Sequence, residues 1–287
     1  MTLEQLRIFI AVAEREHVTR AAAALGLTPS AVSAAIAALE SRHGVMLFDR
    51  IGRGITMTGA GREFLTEARA TLARAAEAEA VLTDLAGLRR GRLSLAASQT
   101  IGNYWLPPLM HRYRLAHPGI GLELFIGNSR QVAAKVVEGL VDLGFIEGEV
   151  AADELAIETV ASDDMLLVAS PALNAHGADL AALPWVCREP GSGTRAAMEA
   201  LLAARGLRVA DLSRLELPSN EAVRSAVEAG AGLAVLSRLV VASALAAGRL
   251  CVIGADLPTR SFHILRHRGR HQGKAAAAFR QLIASAE

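Results

Sequence analysis

Apolar positions in the first sixty residues recur at helical spacing and are interrupted by turn residues. Leu3, Leu6, Phe9, Ile10 and Ala13 fall on one stripe with Glu4, Gln5, Arg7 and Glu14 off it, which predicts an amphipathic helix over residues 2–16. Ala21, Ala22 and Leu25 mark a second short helix, ended by Gly26. Leu27-Thr28-Pro29-Ser30 reads as a turn, with Thr28 placed as N-cap and Pro29 at the first position of a third helix whose buried stripe is Val32, Ile36 and Leu39. Two short helices joined by a tight turn make a helix-turn-helix, and the second of them is the kind that enters a major groove. Its exposed face carries Ser30, Ser33, Ala34 and Ala37. Val45–Phe48 and Ile55–Thr58 are expected to pair as a hairpin about residues 49–54, a wing that offers Arg50 and Arg53 to phosphates or to a narrow minor groove. An ion pair with Glu40 or Asp49 is the alternative use of Arg50.

The period then lengthens. Thr58 is placed to cap a helix that runs without Pro or Gly from Arg62 to Ala86, roughly 40 Å at ~1.5 Å per residue. Leu65, Ala68, Leu72, Ala75 and Leu82 form a heptad-like seam interrupted by Glu79, a pattern suited to helix pairing with one polar position that fixes register. Packing of the same helix on its own domain is the alternative. From Gly91 short strands alternate with helices: strands over 92–97, 121–126 and 142–146, helices around Leu106–Tyr113 and over 132–139. A second cycle runs from Met165–Ala169 through Trp185-Val186, Thr194–Ala204, Leu215–Pro218, Glu221–Ala229 and Leu233–Leu236. This predicts two parallel, doubly wound α/β lobes that face each other across a cleft.

Composition narrows the choice. With 52% hydrophobic and 21% charged residues over 287 positions the chain should form packed domains, about two by length. A net charge of +1 confines any nucleic-acid contact to a local surface, and residues 1–62 hold seven arginines against five acids. No apolar run approaches the ~18 residues of a membrane span, and no basic-then-apolar stretch follows Met1, so a cytoplasmic protein without membrane contact is expected. Cys187 and Cys251, far apart and in no metal-ligand spacing, read as buried small hydrophobes. His263, His267 and His271 recur every fourth residue, but their context is a strand over 261–267 followed by the basic loop Arg268-Gly269-Arg270, so no metal is expected. Cofactors are expected to be absent as well, since Gly191-Ser192-Gly193-Thr194-Arg195 lacks the phosphate-loop lysine pattern.

The chemistry resides in the starts of helices. Ser98-Gln99-Thr100 sits between a strand end and a helix, Asn128-Ser129 begins another helix, and Gly191, Ser192 and Thr194 lie at a third, where free N–H groups and hydroxyls favour an anion. Simple capping explains any one of these; convergence in both lobes argues for a carboxylate, a phosphorylated metabolite or an inorganic oxyanion. Tyr104 and Trp105 either line one wall or belong to the core, and Arg195 is either part of the anion nest or a structural tie.

Ala21 to Leu25, Thr28-Pro29-Ser30-Ala31-Val32-Ser33, Ile36 through Leu39-Glu40, Leu47-Phe48-Asp49-Arg50 and Thr56-Met57-Thr58-Gly59-Ala60-Gly61 together resemble the DNA-binding domain of LysR-type transcriptional regulators. Gly91-Arg92-Leu93, Leu106-Pro107-Pro108-Leu109, Val141-Asp142-Leu143-Gly144, Ser219-Asn220-Glu221-Ala222-Val223 and Gly230-Ala231-Gly232-Leu233-Ala234 follow in the order of that family's effector domain. The resemblance implies a winged helix-turn-helix over 1–58, a linker helix over 59–90 and a periplasmic-binding-protein-like effector domain over 91–287. Its lobe I would span 91–161 and 265–287, and its lobe II 162–264. It implies Thr28, Pro29, Ser30, Ser33, Ala34, Arg50 and Arg53 at promoter DNA, and adds Asn220 to the effector residues. It further implies a dimer through Leu65, Leu72 and Leu82, a tetramer on double-stranded DNA, and RNA polymerase as a further partner. Ala34 and Ala37 stand where many members carry longer polar side chains, which shifts specificity toward DNA shape. No Ser-His-acid set or paired carboxylates are apparent, so no enzyme is expected; a small-anion-binding protein or an enzyme using the same cleft is the alternative.

Overall fold

The computed structural model describes residues 1–51, 54–85, 90–148, 150, 152–173, 177–254 and 257–285, with the backbone alone at 50, 51, 80 and 83–85. Its contacts divide the chain into two compact units, Met1–Leu82 with Glu138–Leu140, and Thr83–Val137 with Val141–Glu287.

The first unit contains α1 (Leu3–Arg15), α2 (Val18–Leu25), α3 (Pro29–His43), β1 (Phe48–Ile51), β2 (Gly54–Met57) and α4 (Gly59–Leu85). A reciprocal capping box starts α1: Thr2 Oγ1 accepts from the Gln5 N–H, and Gln5 Oε1 from that of Thr2. Gly26, at φ +66°, ends α2 in the left-handed conformation, and α2 and α3 meet at a bend of 107°, within the helix-turn-helix range. Thr28 Oγ1 accepts from the Ala31 N–H, with Pro29 in the first turn, as the sequence predicts. Leu6, Phe9, Val12, Val32, Ile36 and Leu39 are buried together. The Phe9 ring lies 5.4 Å from Phe48 and 4.8 Å from Phe64, so α1 anchors both the hairpin and α4.

The hairpin begins later than the pattern of apolar residues suggests. Phe48 pairs with Met57 and Ile51 with Gly54, so residues 49–51 are strand rather than turn. Val45–Leu47 are engaged elsewhere. Glu40 Oε1 accepts from the N–H groups of Leu47 (2.7 Å) and Phe48 (3.1 Å), while Thr58 donates its N–H to the Leu47 carbonyl and its hydroxyl to that of Met46. Thr58 Oγ1 also accepts from the Gly61 N–H at 2.9 Å, which caps α4 three residues earlier than expected. Glycine is required at 61, since a Cβ there would lie 2.2 Å from the Leu47 carbonyl oxygen.

The second unit opens with β3 (Gly91–Ser98), a π-helical turn over Ile101–Trp105, α5 (Leu106–Ala116), β4 (Ile120–Gly127), α6 (Ser129–Val137), β5 (Leu143–Glu147) and β6 (Leu155–Asp163). Its second lobe holds β7 (Met165–Ala169), β8 (Trp185–Arg188), α7 (Gly193–Ala203), β9 (Arg214–Leu217), α8 (Asn220–Glu228), β10 (Ala234–Ser237), α9 (Arg238–Ala246) and β11 (Cys251–Val252). The chain then returns through β12 (Arg260–His267) to the first lobe and ends in α10 (Lys274–Ala284).

Strands of the first lobe are ordered β4-β3-β5-β12-β6, with β3 parallel to both neighbours and β12 antiparallel to β5 and β6. The sheet is therefore mixed rather than wholly parallel. The sequence pattern missed β6 because this edge strand carries Glu158, Thr159, Ser162 and Asp163 instead of an apolar run. The return to the first lobe also comes earlier, at Arg260 instead of 265, and the outgoing crossover follows Asp163 instead of 161. Leu93, Leu95 and Phe145 pack on α5 and α10, while Ala96 and Ile146 pack on α6, so helices cover both faces. In the second lobe β10-β7-β11 is antiparallel, β8-β9 is parallel, and a Trp185–Leu233 bridge joins the two ribbons.

Candidate functional site

Two sites emerge, one in each unit. In the first, Ser30, Ser33, Ala34 and Ala37 are exposed along one side of α3, opposite the buried Val32, Ile36 and Leu39. Thr28 and Ser30 share a hydroxyl–hydroxyl bond of 3.0 Å, which orients the start of the helix. Ser33 and Ala37 face a groove of about 720 Å³ whose other walls include His17, Thr19, Asp49 and Gly54. The groove thus runs between the start of α2, the exposed side of α3 and the wing, the surface that a helix-turn-helix turns toward DNA. Arg53 lies outside the described residues, as does the side chain of Arg50. Glu40, one proposed partner, already holds the wing backbone through Oε1.

The seam on α4 divides. Leu65, Ala68 and Leu72 pack on the unit's own core, which matches the own-domain alternative for this stretch, whereas Val81 and Leu82 are exposed, Leu82 at 68%.

In the second unit the two lobes meet across a dense polar network at the carboxyl ends of the strands. Gln99 reaches over with both ends: Nε2 donates to the Pro218 carbonyl at 2.9 Å and Oε1 accepts from the Asn220 N–H at 2.9 Å. Asn220 Nδ2 donates to Thr100 Oγ1 at 3.0 Å, while Asn220 Oδ1 accepts from Arg188 Nη1 at 2.6 Å. Arg188 in turn clamps Glu189 through two bonds of 2.8 Å, and Asn128 Nδ2 donates to the same carboxylate. Burial alone would raise the Glu189 carboxyl, but the hydrogen bonds from Arg188 and Asn128 outweigh it and hold the group below its ordinary value.

Arg260 forms the second hub. Its Nε and Nη2 donate to Asp163 Oδ2 at 2.9 and 2.7 Å, Nη2 reaches Thr100 Oγ1 at 3.1 Å, and Nη1 lies 3.5 Å from Thr194 Oγ1 and 3.4 Å from Glu147 Oε1. Asp163 Oδ1 accepts from Ser237. Burial raises the Asp163 carboxyl above its ordinary range despite these donors. Two buried carboxylates therefore share one guanidinium, and Glu147 Oε2 has no hydrogen-bond partner among the described residues.

Beside this network a cavity of about 310 Å³ is lined by Ser129, Arg130, Glu147, Gly191, Ser192 and Gly193, among others. Ser129 Oγ donates to the Glu147 carbonyl. Gly191 has φ +92°, and a Cβ there would meet Arg130 at 3.2 Å; Gly193 leaves no room for a Cβ against the Glu147 carbonyl at 2.6 Å. Ser192 is the N-cap residue of α7, yet its hydroxyl makes no capping bond.

The structure thus gathers Gln99, Thr100, Thr194 and Asn220 into the network and Ser129, Gly191 and Ser192 around the cavity. Asn128 is a true cap, exchanging hydrogen bonds with Gln131, and also reaches across to Glu189. Ser98 is buried, its hydroxyl has no partner among the described residues, and it does not line the cavity. Trp105 packs edge-on against Phe262 in the first-lobe core, whereas Tyr104 donates to Glu221 of the second lobe. Arg195 is a structural tie to Glu199, Glu216 and the Arg188 carbonyl. It also donates to Cys187 Sγ; burial nevertheless pushes that thiol up, away from the reactive thiolate.

Sequence reading missed Glu147, Asp163, Arg188 and Arg260. A carboxylate ending the wholly buried Leu143–Glu147 strand was a visible signal; the partners of Arg260 depend on the antiparallel return of β12 and were not.

Comparison with known proteins adds a consistent picture. Residues 3–62 match the family described as bacterial regulatory helix-turn-helix protein, lysR family, and residues 86–287 match the LysR substrate binding domain. The HTH-type transcriptional regulator YeiE of Escherichia coli (strain K12) is 37% identical over 286 residues, covering 97% of this chain and 96% of that protein. The crystal structure of full-length CbnR with its target DNA superposes with a TM-score of 0.68 at 21% identity, covering all of both chains. The regulatory domain of Synechocystis PCC6803 CcmR in complex with 2-PG gives 0.61 at 25% identity, covering 68% of this chain and 97% of that one.

Proposed function

The chain belongs to the LysR family of bacterial transcriptional regulators, and on that premise we propose that a small anionic effector held between its two α/β lobes controls how it engages promoter DNA. It is a DNA-binding regulator with an effector-binding domain, not an enzyme. The observation that carries the effector reading is the cavity wall. There the exposed guanidinium of Arg130 has no ion pair or hydrogen bond among the described residues, and it stands with the uncommitted Ser192 hydroxyl at the start of α7. A cation, a hydroxyl and helix N–H groups together suit a carboxylate, a phosphorylated metabolite or an inorganic oxyanion. Binding of 2-PG by the similar CcmR domain supports the same class.

The DNA contacts are Thr28, the N-cap of α3, and Pro29, Ser30, Ser33 and Ala34 of that helix, together with Arg50 and Arg53. Ser98, Gln99, Thr100, Asn128, Ser129, Gly191, Ser192, Thr194 and Asn220 form the effector shell. Domains run from 1–58 and 59–90 to a two-lobed effector domain beyond. A dimer, and a tetramer on DNA, forms through α4, where the exposed Leu82 is free for a partner while Leu65 and Leu72 serve the unit's own core. Effector occupancy changes the angle between lobes and so the placement of the DNA-binding units, and RNA polymerase meets the assembly at the promoter. Action on promoter DNA places the protein in the cytoplasm; among the described residues no single helix is long and apolar enough to cross a membrane.

Footprinting the purified protein on the DNA beside its own gene, at two salt concentrations with competitor DNA, tests this reading. An extended protected site with dyad symmetry is expected. Arg53→Ala should weaken binding at all sequences and lower the slope of log affinity against log salt by about 1. Absence of protection there and in a genome-wide selection of bound fragments would overturn it.

A further inference from the structure

We infer that the effector is an acid that also carries a hydrogen-bond donor, a hydroxyl or an ammonium group, and that Glu147 reads the donor while Arg130 reads the acid. The inference rests on the cleft reading above and sharpens it.

Glu147 is 3% exposed and lines the same cavity as Arg130, Ser192 and Gly193. Its Oε1 faces Arg260 Nη1 at 3.4 Å; its Oε2 meets no donor among the described residues. Arg260 Nε and Nη2 are committed to Asp163 and Thr100, and its Nη1, 3.5 Å from Thr194 Oγ1, approaches Oε1 rather than Oε2. Ser129, a hydroxyl of the same wall, gives its proton to the Glu147 backbone carbonyl instead. A buried carboxylate oxygen without a donor is costly, and a ligand that brings one recovers the lost interaction. A ligand with acceptors only would instead place its negative charge against that of Glu147. The wall thus combines two chemically opposite groups: Arg130 with the Ser192 hydroxyl for an acid, and Glu147, whose Oε2 lacks a donor, for a donor group. A cavity of about 310 Å³ lies at the lower end of small-molecule sites, so both groups belong to one compact molecule.

The test is calorimetric titration of the full-length protein with pairs that differ by one hydroxyl, malate against succinate and lactate against propionate, or by one ammonium group, aspartate against succinate. Inorganic phosphate and sulfate serve as further anions. In the wild type the donor-bearing member of at least one pair is expected to bind about tenfold or more tightly than its counterpart. Glu147→Gln keeps an acceptor for Arg260 but turns an amide donor toward the ligand, and should shrink that ratio to within about threefold. Arg130→Gln, at an exposed position, should weaken both members of the pair alike. Should Glu147→Gln fail to fold, the wild-type ratios and Arg130→Gln decide alone. Equal or tighter binding of donor-free anions, or a ratio unchanged in folded Glu147→Gln, would overturn the inference and leave the cleft reading standing. No binding by either class, inorganic anions included, would remove both.

Discussion

The two sites of this protein handle charge in opposite ways. The groove in the first unit is assembled from one contiguous stretch, with its hydroxyls and alanines outward and its apolar stripe fully buried beneath them. The cleft in the second unit is assembled from strand ends and helix starts of both lobes, with Arg188, Glu147, Asp163 and Asn220 buried, Arg260 largely so, and all bonded mainly to one another. A surface that adds phosphate contacts one by one can be weak in charge and rely on repetition through self-association. A buried network has no such latitude: each charge must keep its partner, so a ligand acts by supplying or taking a bond.

That contrast can be broken deliberately. Arg260→Ala strands the Asp163 and Glu147 carboxylates and should cost about 3–5 kcal/mol. Calorimetry should show the loss in the effector domain, with the transition of the first unit unmoved. Gly61→Ala forces a methyl onto the Leu47 carbonyl, with a cost of roughly 1–3 kcal/mol confined to the first unit and a matching fall in DNA affinity. Leu82→Lys, at an exposed position of α4, should change stability by less than about 0.5 kcal/mol yet lower the dimer fraction in sedimentation. Leu72→Ala, by contrast, should lower the melting temperature of the first unit.

The smallest expected effect is a pH dependence. The folded pKa of Glu189 is depressed, so its clamp on Arg188 and Asn128 contributes stability above the ordinary carboxylate range. That contribution is lost as pH falls through the lowered value. A pH titration of stability should therefore lose part of its acid limb in Glu189→Gln.

The same contrast explains what could be read in advance. Thr28, Pro29, Gly26 and Thr58 announce their roles locally, because a cap or a turn is decided by neighbours a few residues away. Ser192 and Thr100 were legible as helix starts. That neither makes a capping bond was not, since this depends on what faces them. Asp163 and Arg260 lie 97 residues apart and meet only because β12 returns antiparallel to an edge strand too polar to be recognised from its pattern. The wing slipped for a related reason: Glu40 takes the backbone N–H groups of Leu47 and Phe48, which moves the hairpin toward its tip.

The most direct test of the account is reciprocal titration of operator DNA and of an acid that binds the cleft. The account predicts that saturating acid changes operator affinity, and operator changes acid affinity, by one common factor on the order of 5–150. It also predicts that Ser192→Ala and Thr100→Val shift the acid titration while operator binding by the unliganded protein persists. An acid that binds the cleft tightly yet leaves operator affinity and footprint length unchanged would contradict it.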